Sequence, residues 1–246
     1  MSTSSVRSDK RQPDEMRRVR IRKNYVRTAA GSALCEFGRT RVICAVTVEE
    51  EVPRWMKEQK VSGGWITSEY QMLPYSTALR KPRESTRGRV DGRTMEIQRL
   101  VGRAMRAVID LEKIGPRTIW IDCDVLEADG GTRTAAITGS FVALALALRK
   151  LQQQKLVVEW PIKQQVAAVS VGIVGGVPLL DLNYEEDARA SVDMNVVMTD
   201  GGEYVEVQGT GEEQTFSKTQ LDQMLQLAGK GIRELIALQR RTLGLK

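Results

Sequence analysis

Histidine is missing from all 246 residues, and that absence removes whole classes of chemistry. There is no histidine triad, no imidazole general acid or base, and no His-ligated zinc. Chemistry must fall to carboxylates, cations and backbone groups. Cysteine is scarce: Cys35, Cys44 and Cys123 lie within apolar, strand-like runs and follow no zinc-ligand spacing. They read as reduced core residues, as expected of a cytoplasmic protein, and without a histidine partner they are poor nucleophiles. No run reaches the roughly eighteen unbroken apolar residues of a membrane span. The polar N-terminus lacks the apolar stretch of a signal peptide. Neither a lysine-ending phosphate loop nor a GxGxxG fingerprint is present, so nucleotide-binding folds of those types gain no support.

What the chain does have is 41% hydrophobic residues, enough for a real core, and a net charge of +6. The positive balance suits an anionic partner such as nucleic acid, and equally suits plain solubility. Residues 1–18 are polar and rich in Ser, Arg, Asp and Lys, which predicts a loose basic arm with order beginning near Val19. "VRIRKNYV", "GSALCEFG" and "TRVICAVTVEE" predict strands in a meander, and "GWITSEYQMLP" a further strand. "YSTALRKPRESTRGRVDG" breaks every periodicity and carries Arg80, Lys81, Arg83, Arg87 and Arg89, a basic loop. Helical spacing of Ile97, Leu100, Val101, Ala104, Val108 and Leu111 predicts a helix from Arg93 to Glu112, closed by Gly115 and Pro116.

"RTIWIDCDVLE" alternates as a strand, with Asp122 and Asp124 opposite its apolar face. From about Thr132 to Leu151 the residues are apolar nearly all round, which predicts a buried helix. Two hairpins follow, joined at Gly175-Gly176 and near Gly201-Gly202. An amphipathic helix from about Ser217 to Arg241, with Leu221, Leu225, Ile232, Leu235, Ile236 and Leu238 inward, closes the chain. Strands precede a helix in both halves, a weak hint of internal duplication.

Two helix mouths draw attention. In "DGGTRTAAITGS", Gly130-Gly131 lets backbone approach an anion, Thr132 and Thr134 offer hydroxyls, and Arg133 adds charge where the helix dipole already favours a negative group. The same residues also make an ordinary strand-to-helix turn with Thr132 as N-cap and Arg133 solvated. "DGRTMEIQRL" places Arg93 at a second mouth, where a cation is unfavourable without a compensating anion. Two such arginines could share one phosphate. In "LLDLNYEEDARASVDMNVV", Asp187 and Asp193 flank a turn that could join them as a magnesium site or as an acid beside a metal ligand, with Asp181 as a third candidate. Acids also gather in turns simply because they are soluble there.

"GRTMEIQRL", "DCDVLEADGGTRTAAITGS", "VAAVSVGIV" and "VDMNVVMT", occurring in this order, resemble the ribonuclease PH family from about Val19 to the C-terminus. That family is similar to polynucleotide phosphorylase and to exosome ring subunits. The resemblance implies an α+β, βαβα-type fold with mixed sheets packed against helices, residues 19–246 forming the domain, assembled as a homohexameric ring (a trimer of dimers). It places phosphate contacts on Arg93, Gly131, Thr132 and Arg133, and catalytic acids on Asp187 and Asp193, both candidate Mg²⁺ ligands, with Asp187 preferred as general acid, Asp193 as metal ligand, and the two roles exchangeable. It implies phosphorolysis of RNA 3′ ends, especially of tRNA precursors, with inorganic phosphate as co-substrate and nucleoside 5′-diphosphates as products. A histidine base is then unnecessary, because phosphate is already anionic. In a ring, Arg80, Arg83, Arg87 and Arg89 would grip the body of tRNA through its phosphates. The other reading, a catalytically silent RNA-binding subunit, is disfavoured because every phosphate and acid position is retained.

Overall fold

The computed structural model describes residues 7–212 and 214–245. In chain order the elements are β1 (Val19–Lys23), β2 (Gly31–Phe37), β3 (Thr40–Glu49), α1 (Arg54–Gln59), β4 (Trp65–Met72), α2 (Glu84–Arg87), α3 (Gly92–Val108) and β5 (Thr118–Glu127). Then follow α4 (Thr132–Gln153), β6 (Val166–Val174), β7 (Val177–Leu180), α5 (Tyr184–Asp187), β8 (Val192–Thr199), β9 (Tyr204–Gly211) and α6 (Lys218–Leu243). The α+β expectation holds. A mixed five-stranded sheet runs β1-β2-β3-β5-β4, and an antiparallel four-stranded sheet runs β7-β6-β8-β9. Parallel pairing of β4 with β5 makes β4-α3-β5 a crossover unit, since parallel neighbours need a long connection.

Helix α4 is the centre of the molecule. It packs on β2 and β3 of one sheet and on β6 of the other, so an apolar surface on every side is required rather than wasteful. By length and composition it could cross a membrane, yet 83% of its apolar window is buried inside the protein. Its contact with β2 is backbone to backbone: a Cβ at Gly31 would lie 2.2 Å from the Ala143 carbonyl oxygen. A Cβ at Gly139 would lie 2.8 Å from Cys35 Cβ and from Cys44 Sγ. All three cysteines are free and buried in this layer, as expected. Both helix mouths therefore start from elements whose bodies are fixed in the core.

Several expectations are corrected. Helix α3 stops at Val108, because Ile109 is extended and bridges to Ile162. The basic loop contains the short helix α2, and Glu84 accepts a hydrogen bond from Thr94 Oγ1 that ties this segment to the first turn of α3. The largest difference concerns the arm. It is docked from Arg7 onward, with Arg7, Arg11 and Arg17 buried; residues 1–6 lie outside the described residues. Leu180 N–H donates to the Pro13 carbonyl at 2.8 Å, and Lys230 pairs with Asp14 at 2.6 Å. The physical reason is charge: Asp181 and Glu186 are buried carboxylates, and buried carboxylates need cationic, hydrogen-bonding partners.

Candidate active site

Helices α3 and α4 open toward one cleft of about 780 Å³, walled by Arg93, Arg133, Asp187 and Asp193. The two arginines come from the first turns of their helices, and the two acids from the end of α5 and the start of β8. Neither mouth is closed by its own sequence: Asp91 and Gly131, the N-caps of α3 and α4, give no side-chain capping hydrogen bond. By contrast α5 and α6 both begin with complete capping boxes, at Asn183–Glu186 and Ser217–Gln220. Uncapped first-turn N–H groups and the dipole leave α3 and α4 able to receive an anion.

Arg133 does not float in solvent. Its Nη1 reaches Gln208 Oε1 at 2.7 Å and Glu96 Oε1 at 3.1 Å, while Gln208 Nε2 holds Glu96 at 2.8 Å. Gln208, Asn195 and Thr210 all line the cleft from the β8-β9 hairpin, with Arg189 from the segment between α5 and β8 and Glu212 just past β9. Sequence reasoning missed these residues. Asn195 and Gln208 face each other across paired strands, a register that local pattern does not reveal.

The glycine turn has two separate reasons to be glycine. A Cβ on Gly130 would lie 2.6 Å from the Leu182 carbonyl oxygen, so this residue lets the chain before α5 press against the turn. Gly131 takes the left-handed conformation, φ 67°, and is itself the N-cap, a role expected of Thr132. Thr132 is buried and accepts a hydrogen bond from the Tyr70 hydroxyl at 2.8 Å, which leaves its own proton available to an acceptor. Thr134 turns back to the Gly131 carbonyl at 2.9 Å. Gly131 and Thr132 thus lie at the mouth beside Arg133 without walling the cleft.

Asp187 is held in its protonated form to higher pH than an ordinary aspartate. Burial is the main cause and the nearby Asp193 charge the second, opposed by Arg93, Arg133 and Arg17. Asp193 Oδ1 is buried without a hydrogen-bond partner among the described residues. Two close carboxylates, one with an unspent buried oxygen, suit a Mg²⁺ ion, which commonly takes one or two carboxylates and completes its shell with water and substrate phosphate. Asp181 does not join them. It is fully buried at φ 54°, and Arg17 Nη2 and Nε grip its carboxylate at 2.7 and 3.0 Å.

Of the basic segment, Arg80, Arg83 and Arg89 are exposed, and the Arg87 side chain lies outside the described residues. Arg89 lines a separate hollow with Glu69, Asp122 and Asp124. There the two aspartates are shifted up by burial and by Glu69.

Paired carboxylates under two cationic helix mouths equip an enzyme acting on phosphate-bearing, anionic substrates. Two models of the 3′ exoribonuclease family match consecutive parts of the chain: domain 1, named RNase_PH, over residues 15–150, and domain 2, RNase_PH_C, over residues 164–231. Ribonuclease PH of Syntrophomonas wolfei is 55% identical over 97% of this chain and 99% of its own length. Ribonuclease PH of Halalkalibacterium halodurans is 57% identical over 97% and 93%. An Archaeoglobus fulgidus exosome structure "with RNA bound to the active site" shares the fold, with TM-score 0.79 and 23% identity over 94% of this chain and 91% of that one. Rice Rrp46 does so with TM-score 0.77 and 18% identity over 97% and 100%. The chain belongs to the RNase PH family of phosphorolytic 3′ exoribonucleases.

Proposed function

We propose that the chain trims the 3′ ends of tRNA precursors and other RNAs in the cytoplasm, working as a homohexameric ring with Mg²⁺ and inorganic phosphate. The observation that carries this reading is the convergence of two uncapped, arginine-bearing helix mouths on one acid pair. Phosphate is held by Arg93 and Arg133 and by the Gly131, Thr132 and Arg133 end of α4, so that its oxygen points in line at the last phosphodiester. A phosphate oxygen bonds to that phosphorus, the bond to the 3′ oxygen of the preceding nucleotide breaks, and the terminal nucleotide leaves as a 5′-diphosphate. The departing 3′ oxygen takes a proton from Asp187, whose carboxyl is shifted above the ordinary aspartate value by burial and by the Asp193 charge. Asp193, with Asp187, would hold Mg²⁺, which supplies charge neutralisation at the scissile phosphate. The reverse direction adds nucleotides from diphosphates by the same contacts. Exposed Arg80, Arg83 and Arg89, with Arg87 of the same segment, give tRNA a sequence-independent grip.

Purified protein incubated with a 3′-extended tRNA and Mg²⁺ tests this directly. Nucleoside 5′-diphosphates should accumulate only when phosphate is added. Nucleoside monophosphates formed equally well without phosphate would make the enzyme a hydrolase and end this reading.

A further inference from the structure

The N-terminal segment contributes no wall to the catalytic cleft, yet its three buried arginines hold both sides of it from behind. Arg17 has one guanidinium and two loads. Its Nη1 donates to the Asp129 carbonyl and its Nη2 lies 3.4 Å from the Gly130 carbonyl, the two residues that lead into the α4 mouth. The same group grips Asp181 through Nε and Nη2, and the Arg17 backbone N–H adds a third bond at 2.8 Å. A Cβ on Gly131 would lie 3.1 Å from Arg17 Nη2, so the guanidinium is packed directly under the turn.

Arg7 and Arg11 serve the opposite wall. Arg7 binds both oxygens of Glu186, at 2.8 and 2.9 Å, and the Asp181 carbonyl at 2.9 Å. Arg11 reaches the same carbonyl at 3.0 Å and Glu186 Oε2 at 3.4 Å. Glu186 in turn accepts from Asn183 N–H at 2.9 Å, closing the capping box of α5, the helix that ends in Asp187. Clamped from Arg7, that short helix has little freedom to swing its last residue.

We propose that residues 7–17 act as an internal clamp with two separable limbs. Arg17 is a positioning residue for the phosphate turn; Arg7 and Arg11, through Glu186, position Asp187. Fixing catalytic groups to within a fraction of an ångström is where such supporting contacts act on rate, because small misplacement costs orientation rather than fold. The proposal rests on the phosphorolytic reading above. It adds that this segment governs how phosphate and acid are presented, although it touches neither.

The limbs are tested with two conservative variants. Arg17→Lys keeps a cation against Asp181, so the fold should persist, but an ammonium lacks the planar fork needed to hold the carboxylate and both turn carbonyls together. Its KM for phosphate should rise about tenfold, the value of one charge-assisted hydrogen bond, with kcat at saturating phosphate within about twofold. Glu186→Gln keeps an acceptor for the capping box while losing the charge that Arg7 and Arg11 hold. Its kcat should fall about tenfold with the phosphate KM unchanged. Thermal unfolding and ring size are recorded alongside. If either variant lowers only the melting temperature, leaving KM and kcat as in the parent, the segment is merely structural and the clamp is wrong. If both variants move both constants alike, the division into limbs is wrong. Should the parent itself release nucleotides without phosphate, the phosphorolytic reading fails instead, which distinguishes the two.

Discussion

Two arginine-carboxylate clusters lie back to back across the Gly130-Gly131 turn, and they have opposite characters. In the inner one, three arginines surround Asp181 and Glu186 with bonds to nearly every oxygen, all of it buried. Burial works against Asp181 ionising, but the charge and hydrogen bonds of Arg17, helped by Arg11, outweigh it and hold the carboxyl below the usual aspartate range. In the outer one, Arg93 and Arg133 share an open cleft with Asp187 and Asp193, Asp187 is shifted upward, and Asp193 Oδ1 has no hydrogen-bond partner among the described residues. The same residue types, six positions apart at Asp181 and Asp187, are thus saturated in one place and left wanting in the other. A satisfied cluster stabilises; an unsatisfied one has capacity to spend on a ligand.

The largest expected effect comes from breaking the inner cluster. Arg17→Ala strands a buried Asp181 charge and should cost about 3 to 5 kcal/mol of stability, read from denaturant unfolding at neutral pH. The two clusters should also answer pH oppositely. Asp181 has a lowered native pKa, so its contribution is present above the unfolded value and disappears as pH falls through the native one. Asp187 has a raised native pKa, so its contribution is present at low pH and is lost as pH rises through that value. Asp187→Asn should therefore be no less stable than the parent at neutral pH, and a clear loss of melting temperature would mean that Asp187 belongs with the inner, structural cluster.

Next in size is the outer cation. Arg133→Ala removes the charge at the α4 mouth and should raise the phosphate KM about tenfold to a hundredfold, the range of a contact worth roughly 1.5 to 3 kcal/mol. An unchanged KM would show that Glu96 and Gln208 hold Arg133 for structural reasons alone. The smallest effect belongs to the surface. Changing Arg80, Arg83, Arg87 and Arg89 together to Ala should weaken tRNA binding and flatten its salt dependence, with turnover of a saturating short oligonucleotide nearly intact. Equal affinity and salt slope would make the segment a solvated connection.

This comparison also shows what the sequence discloses. Strands, the buried α4 and both helix mouths follow from periodicity and from the punctuation of Gly131-Thr132 and Gly92-Arg93, all local signals. The inner cluster is invisible to such reading, because Arg7, Arg11 and Arg17 look like solvated charges until partners 164 to 179 residues away are placed beside them. Composition likewise cannot separate Asp181 from Asp187; only the opposite burial partners do. One local signal went unread: Asn183 and Glu186 have capping-box spacing, which marks α5 as a helix where sequence reasoning saw only acids around a turn. Glu96 and Gln208 carry no such mark, since α3 and β9 meet Arg133 only in the folded chain.

The claim that the outer cluster is the working one is tested most directly by the turnover of Asp187→Asn with saturating phosphate, Mg²⁺ and a short single-stranded oligonucleotide. Asparagine keeps the shape but has no proton to give the departing 3′ oxygen. The account predicts a fall in kcat of about 10² to 10⁴, the usual worth of a positioned general acid. Turnover within about twofold of the parent would contradict it and remove Asp187 from the chemistry.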